Sequence, residues 1–208
     1  GGGEGQGGRP GEVRGRSAGS GRAGGGVRRA LDTRAGHVAE RCPCLRLREA
    51  LPPGYTVAPT QPPLVLDEHR QTAELLRWGI DGRTRSGHFN LREETVADNP
   101  RYRNLPPLII PVSHFYEWSG RQPMKIARAD GRPLLIAGLK GSWEGEPAVT
   151  MITTEARGVI VPLHHRMPVL LEEGELTADP VSQRVNDIRN DGPELLLPPS
   201  EYQLELLG

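Results

Sequence analysis

Glu117 stands in "HFYEW" (114–118), between Tyr116 and Trp118 and just downstream of the apolar run "LPPLIIPV". On a strand, a carboxylate so placed is either a paired structural acid that faces solvent every second residue or an acid held there to move protons. His164 and His165 adjoin in "LHHRMPVLL"; the pair is either a surface doublet or a source of general acid or base. Asn90, opening "NLREET", reads as a turn or cap residue unless its amide orients a substrate. Cys42 and Cys44 with His37 offer metal-binding atoms. However, C-x-C with one distant histidine lacks the usual two-pair zinc spacing, so no metal and no cofactor is expected.

The elements that must carry these groups are short. "ELLRWGI", "PPLIIPV", "HFYEW", "QPMKIAR", "RPLLIAGLKGSW" and "AVTMITT" are β-rich runs separated by Gly, Asp and Pro turn signals. The proline-punctuated "LPPGYTVAPTQPPLVL" reads as extended loop and edge strand. Helices are expected in "LREETVADNPRYRN", in a short stretch after Pro43, and in "DPVSQRVNDIR". In the last of these, Asp179 would cap and Pro180 would take the first helical position. The expected class is α+β, with a mainly antiparallel sheet or small barrel-like core and a few flanking helices.

A chain of 208 residues suits one domain with an extension. Residues 1–30 are mostly Gly, Arg and small residues, which bury too little apolar surface to offset chain entropy. Disorder is expected there, and a single domain over residues 31–208. The formal charge is zero, yet the first fifty residues carry ten arginines against five acids, so the remainder is net acidic. A nucleic-acid partner must therefore be met by a local basic patch rather than by global attraction. Two cysteines, no membrane-length apolar run and no charged-then-apolar leader point to a soluble protein of a reducing compartment.

Seven motifs fall in one order: "YTVAPTQ" (55–61), "RWGIDG" (77–82), "NLREET" (90–95), "HFYEW" (114–118), "AGLK" (137–140), "TTEA" (153–156) and "HHRMPV" (164–169). Each is weak alone. Together they resemble the SOS response-associated peptidase family, abasic-site processing proteins that crosslink themselves to DNA. The resemblance implies a cysteine exposed at the N-terminus, whose thiol and α-amine form a thiazolidine with the aldehyde of an abasic site. Both groups titrate roughly between 8 and 8.5, so modest tuning makes them nucleophilic near neutrality. The same cysteine is implied to hydrolyse its own propeptide where one precedes it. Glu117, His164 and Asn90 match the family's proton-shuttling carboxylate, its acid or base histidine and its orienting amide. Arg77 and Arg92 match phosphate-holding positions, for which planar multidentate donors are suited. Trp78 and Pro59 match a stacking aromatic and a duplex-opening wedge. Their bland counterparts are a core tryptophan for Trp78 and an Arg92–Glu94 ion pair.

The implied partner is single-stranded DNA containing abasic sites, with no membrane and a monomeric state. The implied location is the bacterial cytoplasm, with the nucleoid, or the eukaryotic nucleus. The sequence also departs from the family. Cys42 and Cys44 lie thirteen and eleven residues before Tyr55, out of register with the family nucleophile, and neither is followed by Gly-Arg. Thr56 replaces an asparagine, "WGIDG" replaces "WGLIP", and His114 replaces the glycine before "FYEW". Two other readings stand beside the family function: a single-stranded DNA-binding module without the covalent step, and an unrelated thiol hydrolase or metal-binding domain using Cys42 or Cys44.

Overall fold

A computed structural model describes residues 1, 57–59, 61–67, 72–81 and 87–199. The expected disorder of residues 1–30, the expected helix after Pro43, and both cysteines fall outside the described residues. Strands β1 (Leu64–Asp67), β2 (Ala73–Leu75), β3 (Arg77–Trp78), β4 (Asn90–Arg92), β5 (Pro107–Val112), β8 (Leu134–Trp143), β9 (Glu146–Glu155) and β10 (Arg166–Pro168) form one sheet. A second, antiparallel sheet holds β6 (His114–Ser119), β7 (Gln122–Arg128) and β11 (Leu176–Pro180), with β7 central.

The large sheet curls on itself. Its hydrogen-bonded path runs from β9 through β8, β5 and β1 to β2, and β3 continues β2 to pair with β9 again. Backbone bonds from Leu76 N to Pro63 O and from Trp78 N to Gln61 O carry the β1 hairpin across this junction. The closure gives a barrel-like core, which leaves few exposed strand edges. The α+β, barrel-like expectation holds, with one addition: β3 and β4 both pair with β9 in parallel. Parallel neighbours need a crossover rather than a tight turn, so no local sequence signal marks them.

Both faces of the central strands are buried. Leu66, Ile109, Leu135, Ala137, Leu139, Ala148 and Ile152 pack on one face with Val96 and Tyr102 of two short helices, α1 (Glu93–Asp98) and α2 (Pro100–Arg103). Val65, Leu108, Ile110, Ile136 and Val149 pack on the other. The helices come from "LREETVADNPRYRN", as expected, but the stretch is split. Asn99 is extended before Pro100, its side chain accepts a bond from Arg101 N, and Pro100 opens α2.

The expected helix over "DPVSQRVNDIR" is not formed. Asp179 and Pro180 end β11, opposite Lys125 and Met124, and only a 3-10 turn, Gln183–Asn186, follows. Ser182, not Asp179, caps it, accepting from Arg184 N. Pairing with β7 satisfies this backbone better than a short helix would, a tertiary override of local capping signals. The β8 and β9 strands splay beyond Met151, and the β10 segment enters the gap. There Ala137 N donates to Val169 O and Val169 N donates to Ile152 O. This insertion sets the position of the loop carrying His164.

Candidate active site and nucleic-acid interface

Alternation along β6 divides "HFYEW" between two environments. Phe115 faces an apolar cluster of Ile126, Ile160 and Met167, with Met124 and Leu163 against it. Glu117 shares that face, opposite Met124 in β7, and its side chain keeps 19% of its exposure. Burial at the margin of this cluster pushes its carboxyl above the ordinary range, while the facing His164 draws it partly back. A carboxyl that holds its proton more tightly than usual is suited to giving and recovering protons nearer neutrality.

His164 is delivered by the segment that leaves β9. A 3-10 turn over Gly158–Ile160 lets Leu163 N and His164 N both donate to Ile160 O, at 2.9 and 3.0 Å. The imidazole Nδ1 then lies 3.9 Å from Glu117 Oε1, an ion-pair distance just beyond direct hydrogen bonding. It also lies 2.9 Å from Arg166 O and 3.3 Å from Arg166 N. The His164 side chain is 45% exposed, so the pair opens to solvent on the histidine side. The two rings of His164 and His165 are 4.4 Å apart.

Asn90 is exposed at the start of β4, beside Met151 of β9, and is joined to the pair through the framework rather than by direct contact. The threonines of "TTEA" make that framework. Thr153 Oγ1 donates to Leu91 O at 3.3 Å, and Thr154 Oγ1 donates to Glu93. Next, Arg166 grips Glu94 with both Nη atoms, at 3.0 and 3.1 Å, and donates from Nη2 to Thr153 O at 2.6 Å. Glu94 therefore pairs with Arg166, which holds its carboxyl below the ordinary range, and Arg92 is left exposed before α1. Arg166 stands inside "HHRMPV", a motif whose histidines draw the attention in the sequence. An arginine one residue after a candidate acid–base histidine pair was the available signal.

The residues expected to meet DNA have contrasting settings. Arg92 is exposed on the β4 side. Arg77 is half-buried, donates to Gly79 O at 2.9 Å, and stacks its guanidinium over the Trp143 ring. Trp78 is half-buried as well: its Nε1 donates to Phe89 O at 2.9 Å and its ring meets Phe89 edge-on. Pro59 is exposed in the turn before β1.

On the far face of β6, His114 joins Ser113 Oγ at Nδ1 and Tyr116 OH at Nε2, at 2.8 and 3.0 Å. Burial, with Lys125 nearby, lowers the imidazole to about 4. Burial, with Asp191 nearby, raises Tyr116 to about 12. This hydrogen-bonded chain faces away from Glu117, so His114 does not crowd the carboxylate it precedes. Among the described residues no cluster of three or more His, Cys, Asp or Glu is placed to hold a metal, and no helix is long and apolar enough to cross a membrane.

A barrel-like α+β domain thus sets a half-buried carboxyl against an imidazole that a separate loop holds open to solvent. The chain belongs to the SOS response associated peptidase (SRAP) family, whose model matches residues 26–205. It is similar to abasic site processing protein YoqW of Bacillus subtilis, 30% identical over 193 residues, covering 69% of this chain and 85% of that protein. It is also similar to abasic site processing protein HMCES of Gallus gallus, at 27% identity, covering 52% of this chain and 49% of that protein. A crystal structure of a protein from Bacteroides thetaiotaomicron shares the fold, with a TM-score of 0.56 at 15% identity, over 74% of this chain and 89% of the other.

Proposed function

We propose that this chain binds single-stranded DNA containing abasic sites as a monomer and moves protons on the opened sugar with Glu117 and His164. The observation that carries this reading is the 3.9 Å pairing of a half-buried carboxyl, raised above its ordinary range by burial, with an exposed imidazole from a different element. Asn90, at the start of the strand tied to the His164 loop through Thr153, orients the sugar, and Arg92 meets phosphate. A DNA substrate places the protein with the bacterial nucleoid or in a eukaryotic nucleus.

The covalent step requires a cysteine with a free α-amine. The amine adds to the aldehyde carbon and expels water, and the thiolate then closes on the resulting imine carbon to give a thiazolidine. Glu117 supplies the proton for the leaving water, and His164 exchanges protons with the sugar oxygen. Cys42 and Cys44 are internal, so each has an amide nitrogen that cannot form the imine. Peptide hydrolysis before either residue would free the amine, and this is the peptidase activity assigned to the site.

The test places a Cys-Gly-Arg N-terminal strand ahead of "YTVAPTQ" and incubates this chimera with single-stranded abasic DNA. A DNA adduct that survives denaturing electrophoresis is expected, forming more slowly when Glu117 is alanine. Tight binding without any adduct would sink the covalent reading and favour a DNA-binding module. A stable adduct from the unprocessed chain would show that a different nucleophile operates.

A further inference from the structure

We infer that Glu94 and Arg166 are positioning residues that hold the Arg166 carbonyl against His164 Nδ1, so that the imidazole keeps a proton there and presents Nε2 as the working atom. This rests on the reading of His164 as the acid or base of the site.

The guanidinium of Arg166 joins three elements. It forks onto Glu94 in the first turn of α1, donates to Thr153 O on β9, and belongs itself to β10. Only 12% of the side chain is exposed. A two-pronged arginine–carboxylate contact fixes orientation as well as distance. The backbone at 166 is held on its other side by pairing with Glu155, and Ala156 N donates to His165 O at 3.0 Å. The carbonyl facing His164 is thus fixed from both directions.

At 2.9 Å, Nδ1 and a carbonyl oxygen cannot both be bare acceptors, because two lone pairs would oppose each other without a proton between them. The competing arrangement, with Arg166 N donating to Nδ1, is longer at 3.3 Å. Glu117 Oε1 at 3.9 Å adds negative potential on the same side and also favours a proton on Nδ1. One ring nitrogen is thereby committed, and the other is set by default.

The test uses the full chain labelled with ¹⁵N-histidine and long-range proton–nitrogen spectra of the six imidazoles, with His164 assigned through His164→Gln. Nδ1–H is expected at His164 in the parent chain. Glu94→Gln and Arg166→Lys should each shift the His164 signals toward Nε2–H while His88 and His114 keep theirs, which reports an intact fold. Nε2–H in the parent chain overturns the inference, as does a parent-like tautomer in both variants. If both variants lose the His88 and His114 signals, the pair merely holds the fold and the inference falls. The spectra do not depend on DNA chemistry. Nδ1–H beside a chimera that never crosslinks removes the functional reading alone, and Nε2–H beside a working crosslink removes the positioning alone.

Discussion

Arg77 lays its guanidinium 3.9 Å from the centroid of the Trp143 ring while its Nη1 donates to Gly79 O, which ties β3 to β8. Arg92, at the end of the next strand, β4, lies exposed without such stacking. The two arginines should therefore respond differently to removal.

Arg92→Ala is expected to weaken binding of single-stranded DNA with the fold unchanged, and to reduce the slope of log affinity against log salt by about one ion's worth, ~0.7 on single strands. Arg77→Ala should instead lower the unfolding midpoint, through loss of the stacking and carbonyl contacts. Salt titrations by fluorescence anisotropy, with parallel urea melts, separate the two. Equal salt slopes for parent and Arg92→Ala would remove Arg92 from the interface.

Gly79 has φ +117°, a region that side chains rarely enter, and a Cβ there would fall 2.8 Å from the Phe89 ring. Gly79→Ala should destabilise the fold by about 1–3 kcal/mol, from backbone strain together with overpacking. Because Phe89 supports Trp78, the tryptophan fluorescence of the native state should shift as well. An unchanged urea midpoint and spectrum would show that the turn relaxes freely.

For Glu117 the raised carboxyl sets the sign of the pH dependence. The native state holds this proton more tightly than the unfolded chain, so its contribution to stability falls as pH rises from the ordinary 4.5 through the higher native value. Above that window the whole cost of burying the charge is present. Glu117→Gln should therefore be more stable than the parent at pH 7 and match it below about pH 4, where both side chains are neutral. Denaturant melts at both pH values check this, and a variant less stable at pH 7 would contradict it.

His114 gives the opposite slope. Its native value of about 4 lies below the ordinary 6.5, so the unfolded chain takes up the proton first. Stability is complete above 6.5 and declines as pH falls toward 4, by less than about 1.4 kcal/mol per pH unit for one partly solvated group. His114→Gln, which keeps a polar side chain without a titrating ring, should flatten that decline. Equal changes in stability between pH 7 and 4.5 for the parent and His114→Gln would refute it.

Ile152, fully buried on β9 between β4 and β10, tests whether the barrel-like core holds the two halves of the site. Ile152→Ala should cost about 2–5 kcal/mol of stability. Hydrogen exchange at Leu91 and Val169, which flank Ile152 on the two sides of β9, should accelerate together. Faster exchange on one side alone would mean that the β4 and β10 sides open independently.

By itself the sequence determined the strand-rich α+β class, the positions of β5 to β9, and the family to which the chain belongs. Those signals are local: apolar runs bounded by Gly, Asp and Pro report strands, and ordered motifs survive in the linear text. It also marked Glu117 and His164 as candidates for acid–base work. Tertiary structure decided what no window of sequence contains. The parallel docking of β3 and β4 on β9 joins segments some sixty to seventy residues apart, and pairing of β11 with β7 overrode a helix that local capping residues favoured. Likewise, only packing determined that Glu94 answers Arg166 rather than nearby Arg92, and that Arg77 turns inward to Trp143. The reason is physical: a charged side chain takes its partner from the surface brought against it, and that surface is set by the closing of the sheet rather than by spacing along the chain.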